Sequence, residues 1–241
     1  MAGPLLVLAG VHTHIGQYHI LQGVDFAVPE GGVTVLLGRN GAGKTTTMRT
    51  IMGLWHASAG SIRLADEEIG RADTPSIARR GVAYVPEAMG IFSGLTVREN
   101  LALAVVAGSP APARLERIFA LFPPLRTFID LPAGNLSGGQ KQMLAVARAI
   151  VEQRRLILID EPSKGLAPAI IKAMTAALRE LKSTETTILL VEQNFAMAST
   201  VGDHVAVMDD GRVVHAGAMA DLVADPALQE RLMGLSLEAH Q

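Results

Sequence analysis

The sequence predicts an α/β fold: a mixed, largely parallel sheet with an antiparallel section near the N-terminus and a helical block inserted partway along the chain. Three observations predict it. Short β-branched runs alternate with helical patterns, the rhythm of strands joined by crossover helices. A glycine-rich turn, "GRNGAGK", lies directly between one such run and a helix. From about residue 88 to 154 the alternation stops and helical periodicity takes over.

The first thirty residues carry weaker strand signals at 5–8 and 24–28, read as the antiparallel section. The clearest strands are "VTVLL" (33–37), "GVAYV" (81–85), "RLILI" (155–159) and "TILLV" (187–191). "KTTTMRTIMGL" opens a helix after the glycine turn. In the helical block, Thr96 and Glu99 form a capping box ahead of "NLALAVVA". "ARLERIFALF" (113–122) keeps helical spacing until Pro123 and Pro124 end it. From Gln140 onward, Met143, Leu144, Ala147, Ile150 and Val151 recur at helical intervals. "HVAVMDDGRVVHAG" (204–217) reads as a hairpin turning at Asp210 and Gly211. "LVADPALQERLMG" (222–234) reads as helices closing the fold. With no repeat, low-complexity tract or linker, residues 1–241 read as one domain: a core lobe (1–87 and 155–241) and a helical subdomain (88–154).

Composition excludes several functions. Lys plus Arg is 21 against 23 Asp plus Glu, a net charge of −2, without the basic stripe of a nucleic-acid binder. Cysteine is absent, so disulfides, thiolate metal sites and cysteine nucleophiles are excluded, and a reducing compartment fits. The seven histidines show no ligand spacing. "MAGPLLVLAG" has no basic leader and is not read as a signal peptide. The longest uncharged apolar stretch, "LALAVVAGSPAPA" (101–113), is broken by serine and proline. A membrane-spanning helix needs ~20 apolar residues, so none is expected and the chain is read as soluble.

"GRNGAGKTT" fits G-x-x-x-x-G-K-[ST] on Gly38, Gly43, Lys44 and Thr45. Gly38, Gly41 and Gly43 let backbone N–H groups converge on phosphate oxygens, with Arg39, Asn40, Ala42 and Thr46 completing the cradle. The helix N-terminus adds partial positive charge. Lys44 is placed to reach β- and γ-phosphates of a nucleotide, and the Thr45 hydroxyl to ligate Mg²⁺. "RLILIDEP" supplies the complement, since its strand delivers Asp160 and Glu161 to the carboxyl edge of the sheet. Asp160 would hold Mg²⁺ through water, and Glu161 would polarise a water for in-line attack.

"NLSGGQKQMLAVARAI" (135–150) then presents a second anion-binding helix start. "LSGGQ" (136–140), 20 residues before Asp160, resembles the signature motif of ABC transporter ATP-binding subunits. The resemblance spans nearly the whole chain: Walker A at 38–45, Walker B at 156–160 and a D-loop-like "SKGLAP" at 163–168. It implies a P-loop NTPase core of the ABC ATPase type, using ATP and Mg²⁺. It also implies that Ser137, Gly138 and Gly139 contact the γ-phosphate of ATP held by a partner subunit, two ATPs being sandwiched head to tail. A helix merely capped by Ser137 is the alternative.

Three positions depart from the family's commonest pattern. Glu87 stands where a Gln senses Mg²⁺ and the membrane partner, and an acceptor-only carboxylate could still meet Mg²⁺ through water. Gln193 replaces the switch His; its amide can bond a γ-phosphate but carries no proton. Ile15 occupies the adenine-stacking aromatic's place, with His14 and Tyr18 beside it, so stacking is assigned to Tyr18.

"YVPE", "SKGLAP" and "VEQN" together resemble the smaller ATPase subunit of branched-chain amino-acid, or amide and urea, importers. This implies a heterodimer with a homologous ATPase (a homodimer is the alternative), two membrane permeases and an extracytoplasmic solute-binding protein. The chain would be peripheral on the cytoplasmic face of the membrane. Permease loops are expected near Glu87, where Met89, Ile91, Phe92 and Leu95 cluster. Competing readings are an ABC ATPase for lipid export or iron–sulfur assembly, and a P-loop kinase, which leaves Ser-Gly-Gly-Gln unexplained.

Overall fold

Two long strands, β1 (Pro4–Ile15) and β2 (Tyr18–Pro29), pair antiparallel around a turn at Gly16 and open the fold. The structure, a computed structural model, describes residues 3–106, 108–183 and 186–233. β3 (Val33–Gly38) runs into the glycine loop and α1 (Lys44–Ile51). β4 (Ala59–Leu64) and the two-residue β5 (Glu67–Glu68) return to the antiparallel sheet, and α2 (Thr74–Arg79) leads into β6 (Val82–Val85). The inserted block holds α3 (Val97–Ala102), α4 (Pro112–Leu121), α5 (Pro123–Thr127), a single 3-10 turn at Ala133–Asn135 and α6 (Gly138–Ile150). β7 (Leu156–Asp160), α7 (Pro168–Lys182), β8 (Thr187–Val191), α8 (Phe195–Val201) and β9 (His204–Asp209) rebuild the core. β10 (Arg212–Ala218), α9 (Met219–Ala224) and α10 (Pro226–Met233) complete it.

The strands form two sheets, ordered β2-β1-β4-β5 and β10-β9-β3-β8-β7-β6. The first is antiparallel; the second is parallel except for the β9–β10 hairpin, which turns at Asp210 and Gly211 with both φ positive, as a type I′ turn requires. Every residue of β7 and β8 is buried, which is why these strands read as unbroken apolar runs.

Successive side chains on a strand face opposite ways, and the six-stranded sheet accordingly divides two apolar clusters. Val35, Ile157, Ile159, Ile188 and Leu190 face the cluster shared with α6, α7 and α8. Leu36, Leu158, Leu189 and Val191 face the other, shared with α1 and the antiparallel sheet through Met48, Ile51, Leu6 and Val24. Each such side chain, fully removed from water, contributes roughly 1.5–3 kcal/mol. Among the described residues the helical block shares the first cluster, which Val97, Leu101, Ile118, Phe122 and Leu125 join.

Some elements differ from expectation. β4 and β5 escaped the sequence reading because only Ile62 and Leu64 of "AGSIRL" point inward, too few for a clear alternation. The capping box of Thr96 and Glu99 forms, but α3 stops at Ala102, where 3-10-type bonds from Ala104 to Leu101 and Val105 to Ala102 tighten the chain. Pro123 ends α4 and also starts α5, since a first-turn proline loses no helical hydrogen bond. Ala107 and Gly234, which fall in stretches read as helical, lie outside the described residues.

Candidate functional site

β3 delivers the glycine loop to the carboxyl edge of the parallel sheet, beside the ends of β7 and β8. The loop hugs the hairpin: a Cβ on Gly38 (φ 147°) would lie 2.3 Å from the Met208 carbonyl oxygen, so only glycine fits. No side chain caps the first turn of α1, leaving its N–H groups for an anion. A cleft of about 340 Å³ opens there, lined by Asn40, Gly41, Gly43, Lys44, Thr45 and Thr46 together with Ile20, Glu87, Glu161 and Lys164. Gly38, Arg39 and Ala42 shape the loop without lining that cleft.

Lys44 is buried, and its ammonium donates to the Gly38 and Arg39 carbonyls at 2.7 and 2.9 Å, 3.9 Å from Glu161 Oε1. Burial lowers its pKa, and the charges of Glu161 and then Asp160 work against that. A phosphate would offer the same ammonium a stronger, charge-assisted partner.

Asp160 is fully buried at the end of β7. Thr45 Oγ1 donates to its Oδ1 at 3.2 Å and Tyr84 Oη to its Oδ2 at 3.3 Å. Desolvation raises the Asp160 pKa, and the two hydroxyl bonds partly counter it. The Tyr84 phenol is pushed well above its ordinary value by burial and then by the Asp160 charge, so it stays a donor. Thr45 lines the cleft, and Asp160, which does not line it, is buried within hydrogen-bond reach of that hydroxyl, so two hard oxygen donors lie together. That fits Mg²⁺, which is held by one or two protein oxygens plus phosphate and water. The sequence placed Tyr84 in "YVPE" but gave it no role, because its partner lies 76 residues away.

Glu161 follows with φ 49°, a left-handed conformation that costs a non-glycine residue about 1–3 kcal/mol and persists only where its surroundings over-determine it. Gln193 Nε2 donates to Glu161 Oε1 at 2.6 Å, so the two candidate catalytic residues meet although 32 positions apart. Glu161 Oε2 is buried without a hydrogen-bond partner, leaving an acceptor for a water proton. Lys164, to which "SKGLAP" gave no role of its own, stands 3.4 Å from that oxygen and 2.5 Å from Glu87 Oε1. The Glu87 bond and then the Glu161 charge raise the Lys164 pKa. Glu87 Oε1 is thus engaged by an ammonium while the residue lines the cleft, and its charge reaches Asp160.

Ser137, Gly138 and Gly139 do not line this cleft. They start α6, where Ser137 and Gln140 make a reciprocal capping box: Ser137 N–H donates to Gln140 Oε1 at 2.8 Å and Gln140 N–H to Ser137 Oγ at 3.4 Å. The plain capping role is real, and it leaves Ser137 and Gly138 exposed.

Tyr18 is 65% exposed at the start of β2 and does not line the cleft, whereas Ile20 does. His14 stacks on His19 with ring centres 4.2 Å apart. In the loop after Glu87, Phe92 is half exposed beneath the Arg148 guanidinium, while Met89 and Ile91 pack on the first cluster.

Comparison with known proteins places this geometry. Residues 21–164 match the ABC transporter family. The chain is 37% identical to the high-affinity branched-chain amino acid transport ATP-binding protein BraG of Pseudomonas aeruginosa, over 93% of this chain and 97% of that one. It is 33% identical to the probable branched-chain amino acid transport ATP-binding protein LivF of Archaeoglobus fulgidus, over 91% and 94%. Among solved structures, an ATP-binding subunit of an ABC transporter superposes with a TM-score of 0.80 at 31% identity, covering 97% of this chain and 96% of that one. An ATP-binding cassette in its ADP conformation matches at 0.80 and 25% identity, over 97% and 100%. A chain with this phosphate cradle, this carboxylate pair and these relatives belongs to the ABC transporter family, as a subunit that binds and hydrolyses ATP.

Proposed function

We propose that the chain powers an importer of branched-chain amino acids, peripheral on the cytoplasmic face of the membrane and paired with a second, homologous ATPase. Its fellow components would be two permeases and an extracytoplasmic binding protein. The transport names of BraG and LivF, which match along almost their full length, support the solute class. Among the described residues no helix is long and apolar enough to cross a membrane, and in this reading the permeases supply the permeation path.

One observation carries the pairing. The cleft over Lys44 takes no lining residue from 136–140, yet α6 leaves Ser137 and Gly138 exposed at a helix start. Each is half of an enclosure, and a second subunit completes both. The core lobe (1–87 and 155–241) would hold one ATP and the helical subdomain (88–154) would cover the partner's.

In this reading Gly41, Gly43 and Thr46 cradle the phosphates, and Lys44 exchanges its loop carbonyls for β- and γ-phosphate oxygens. Thr45 and Asp160 hold Mg²⁺, which when bound neutralises phosphate charge. Glu161 accepts a proton from the attacking water through Oε2, and Gln193 steadies the other oxygen. ATP favours the closed pair because its γ-phosphate touches both chains; hydrolysis removes that differential contact and the pair reopens. Phe92, half exposed in the loop that follows Glu87, would meet the permease.

Glu161→Gln decides the role of the carboxylate. The purified complex carrying it should retain ATP in a closed state with hydrolysis down by at least roughly a hundredfold. Undiminished phosphate release would remove Glu161 from the role.

A further inference from the structure

Glu192 closes β8 as a carboxylate only 1% exposed to solvent. Its Oε1 accepts the Ser163 N–H at 3.0 Å. Its Oε2 accepts the Ser163 hydroxyl at 2.8 Å and the N–H groups of Gln193 and Asn194, both at 3.0 Å. A buried charge is tolerated only when hydrogen bonds replace its water, and these four donors do so.

The donors come from two segments that both bear on the reacting water. Ser163 lies two residues after Glu161; Gln193 is the residue whose amide holds Glu161 Oε1. A third tie runs between the same segments, from the Glu161 N–H to the Val191 carbonyl at 2.9 Å. Glu161 is therefore fixed from its own backbone, from its side chain, and from Ser163 just beyond it. That lacing supplies the over-determination that a φ of 49° demands.

We propose that Glu192 is a positioning residue: it locks the 161–163 turn to the 192–194 turn, holding Glu161 in its left-handed conformation and Gln193 on its carboxylate. Nucleotide contact is not part of its role. The inference rests on Glu161 and Gln193 serving hydrolysis as proposed above. Because Ser163 begins the "SKGLAP" segment, the same carboxylate joins that segment to the site of water attack.

Glu192→Gln keeps the shape but turns one acceptor oxygen into an NH₂ that opposes the N–H donors around it. In the assembled complex kcat should fall by about tenfold to a hundredfold, the scale of a slight misplacement of a catalytic group. Affinity for a fluorescent ATP analogue should stay within about twofold, because the phosphate loop makes none of these bonds. In the chain alone, without nucleotide, hydrogen exchange at peptides covering 161–166 and 192–195 should quicken by at least about tenfold, with little change elsewhere. Adding Gln193→Ala to Glu192→Gln should lower kcat much less than Gln193→Ala does by itself. Ser163→Ala, which removes only the hydroxyl, serves if Glu192→Gln fails to fold, with kcat about threefold down and faster exchange over 192–195. Unchanged exchange, unchanged kcat, or a loss of nucleotide affinity equal to the loss of kcat would overturn the proposal. A parent complex without hydrolysis would count against the proposed function, while the exchange measurement still decides the clamp.

Discussion

Gly138→Ala separates a folding role of the signature glycines from a role toward a partner. Gly138 is exposed at the first turn of α6, its φ is not in the left-handed region, and a Cβ built there meets no atom within 4 Å. Alanine should therefore be accepted and, by narrowing the unfolded ensemble, stabilise the chain by about 0.4–1 kcal/mol. For a chain of this size that corresponds to a melting temperature about 1–4 °C higher. Gly139 offers the internal contrast, because its Cβ would stand 2.8 Å from Ile170 Cγ2 on α7. Overpacking of that kind costs about 1–3 kcal/mol, so Gly139→Ala should melt several degrees lower. The functional expectation for Gly138 runs against its stability. If its N–H approaches a phosphate held by the partner, the added methyl obstructs that approach, and hydrolysis by the complex should drop by roughly tenfold or more. Calorimetry of the single chain and phosphate release by the complex read the two quantities separately. A thermally stabilised variant hydrolysing at the parental rate would refute the shared enclosure.

Three further outcomes follow from the site. Burial raises the Asp160 pKa above its unfolded value, so its contribution to stability is fully present below the unfolded pKa and is lost as pH rises through the folded one. Asp160→Asn should thus melt higher than the parent at pH 7, with the gain vanishing in acid, while Mg²⁺-dependent ATP binding is lost; Lys44 keeps Glu161, the larger of its two acidic influences. Gln193→His introduces a group that can carry a proton, and a rise in hydrolysis by the complex would identify this position as limiting. Lys164→Met should weaken ATP-analogue binding severalfold by leaving Glu87 uncompensated, and a Glu87→Gln background should abolish most of that effect; equal losses in both backgrounds would dissociate the pair.

Much of the site was legible because its chemistry is contiguous. The glycine loop, the Asp160 and Glu161 pair and "LSGGQ" each occupy a few successive residues, and β7 and β8 are buried on both faces, so composition alone marks those strands. Tyr84, Lys164 and Glu192 fell within "YVPE", "SKGLAP" and "VEQN", yet their roles were illegible for the opposite reason: each acts by touching a segment distant in sequence, as Glu192 does across 29 residues to Ser163. Glu87 shows how the two combine. Its departure from the commoner glutamine was visible, but the ammonium that answers its charge could be found only once the turns after β6 and β7 lay side by side.

The same geometry explains why the chemistry sits where it does. Buried charge on Lys44 and Asp160 and the positive φ of Glu161 all oppose folding. They are confined to the region beyond the carboxyl ends of β3 and β7, with Glu192 just after β8, where the strand residues leading up to them are buried in the two apolar clusters. Only such a rigid setting can hold a buried carboxylate on a strained backbone against relaxation. Moving the same residues to an exposed loop would let Glu161 relax and hydrate, and its orientation toward a water would be lost. In the proposed pairing, what the core leaves open on the cleft side is the face that α6 of a second chain would cover.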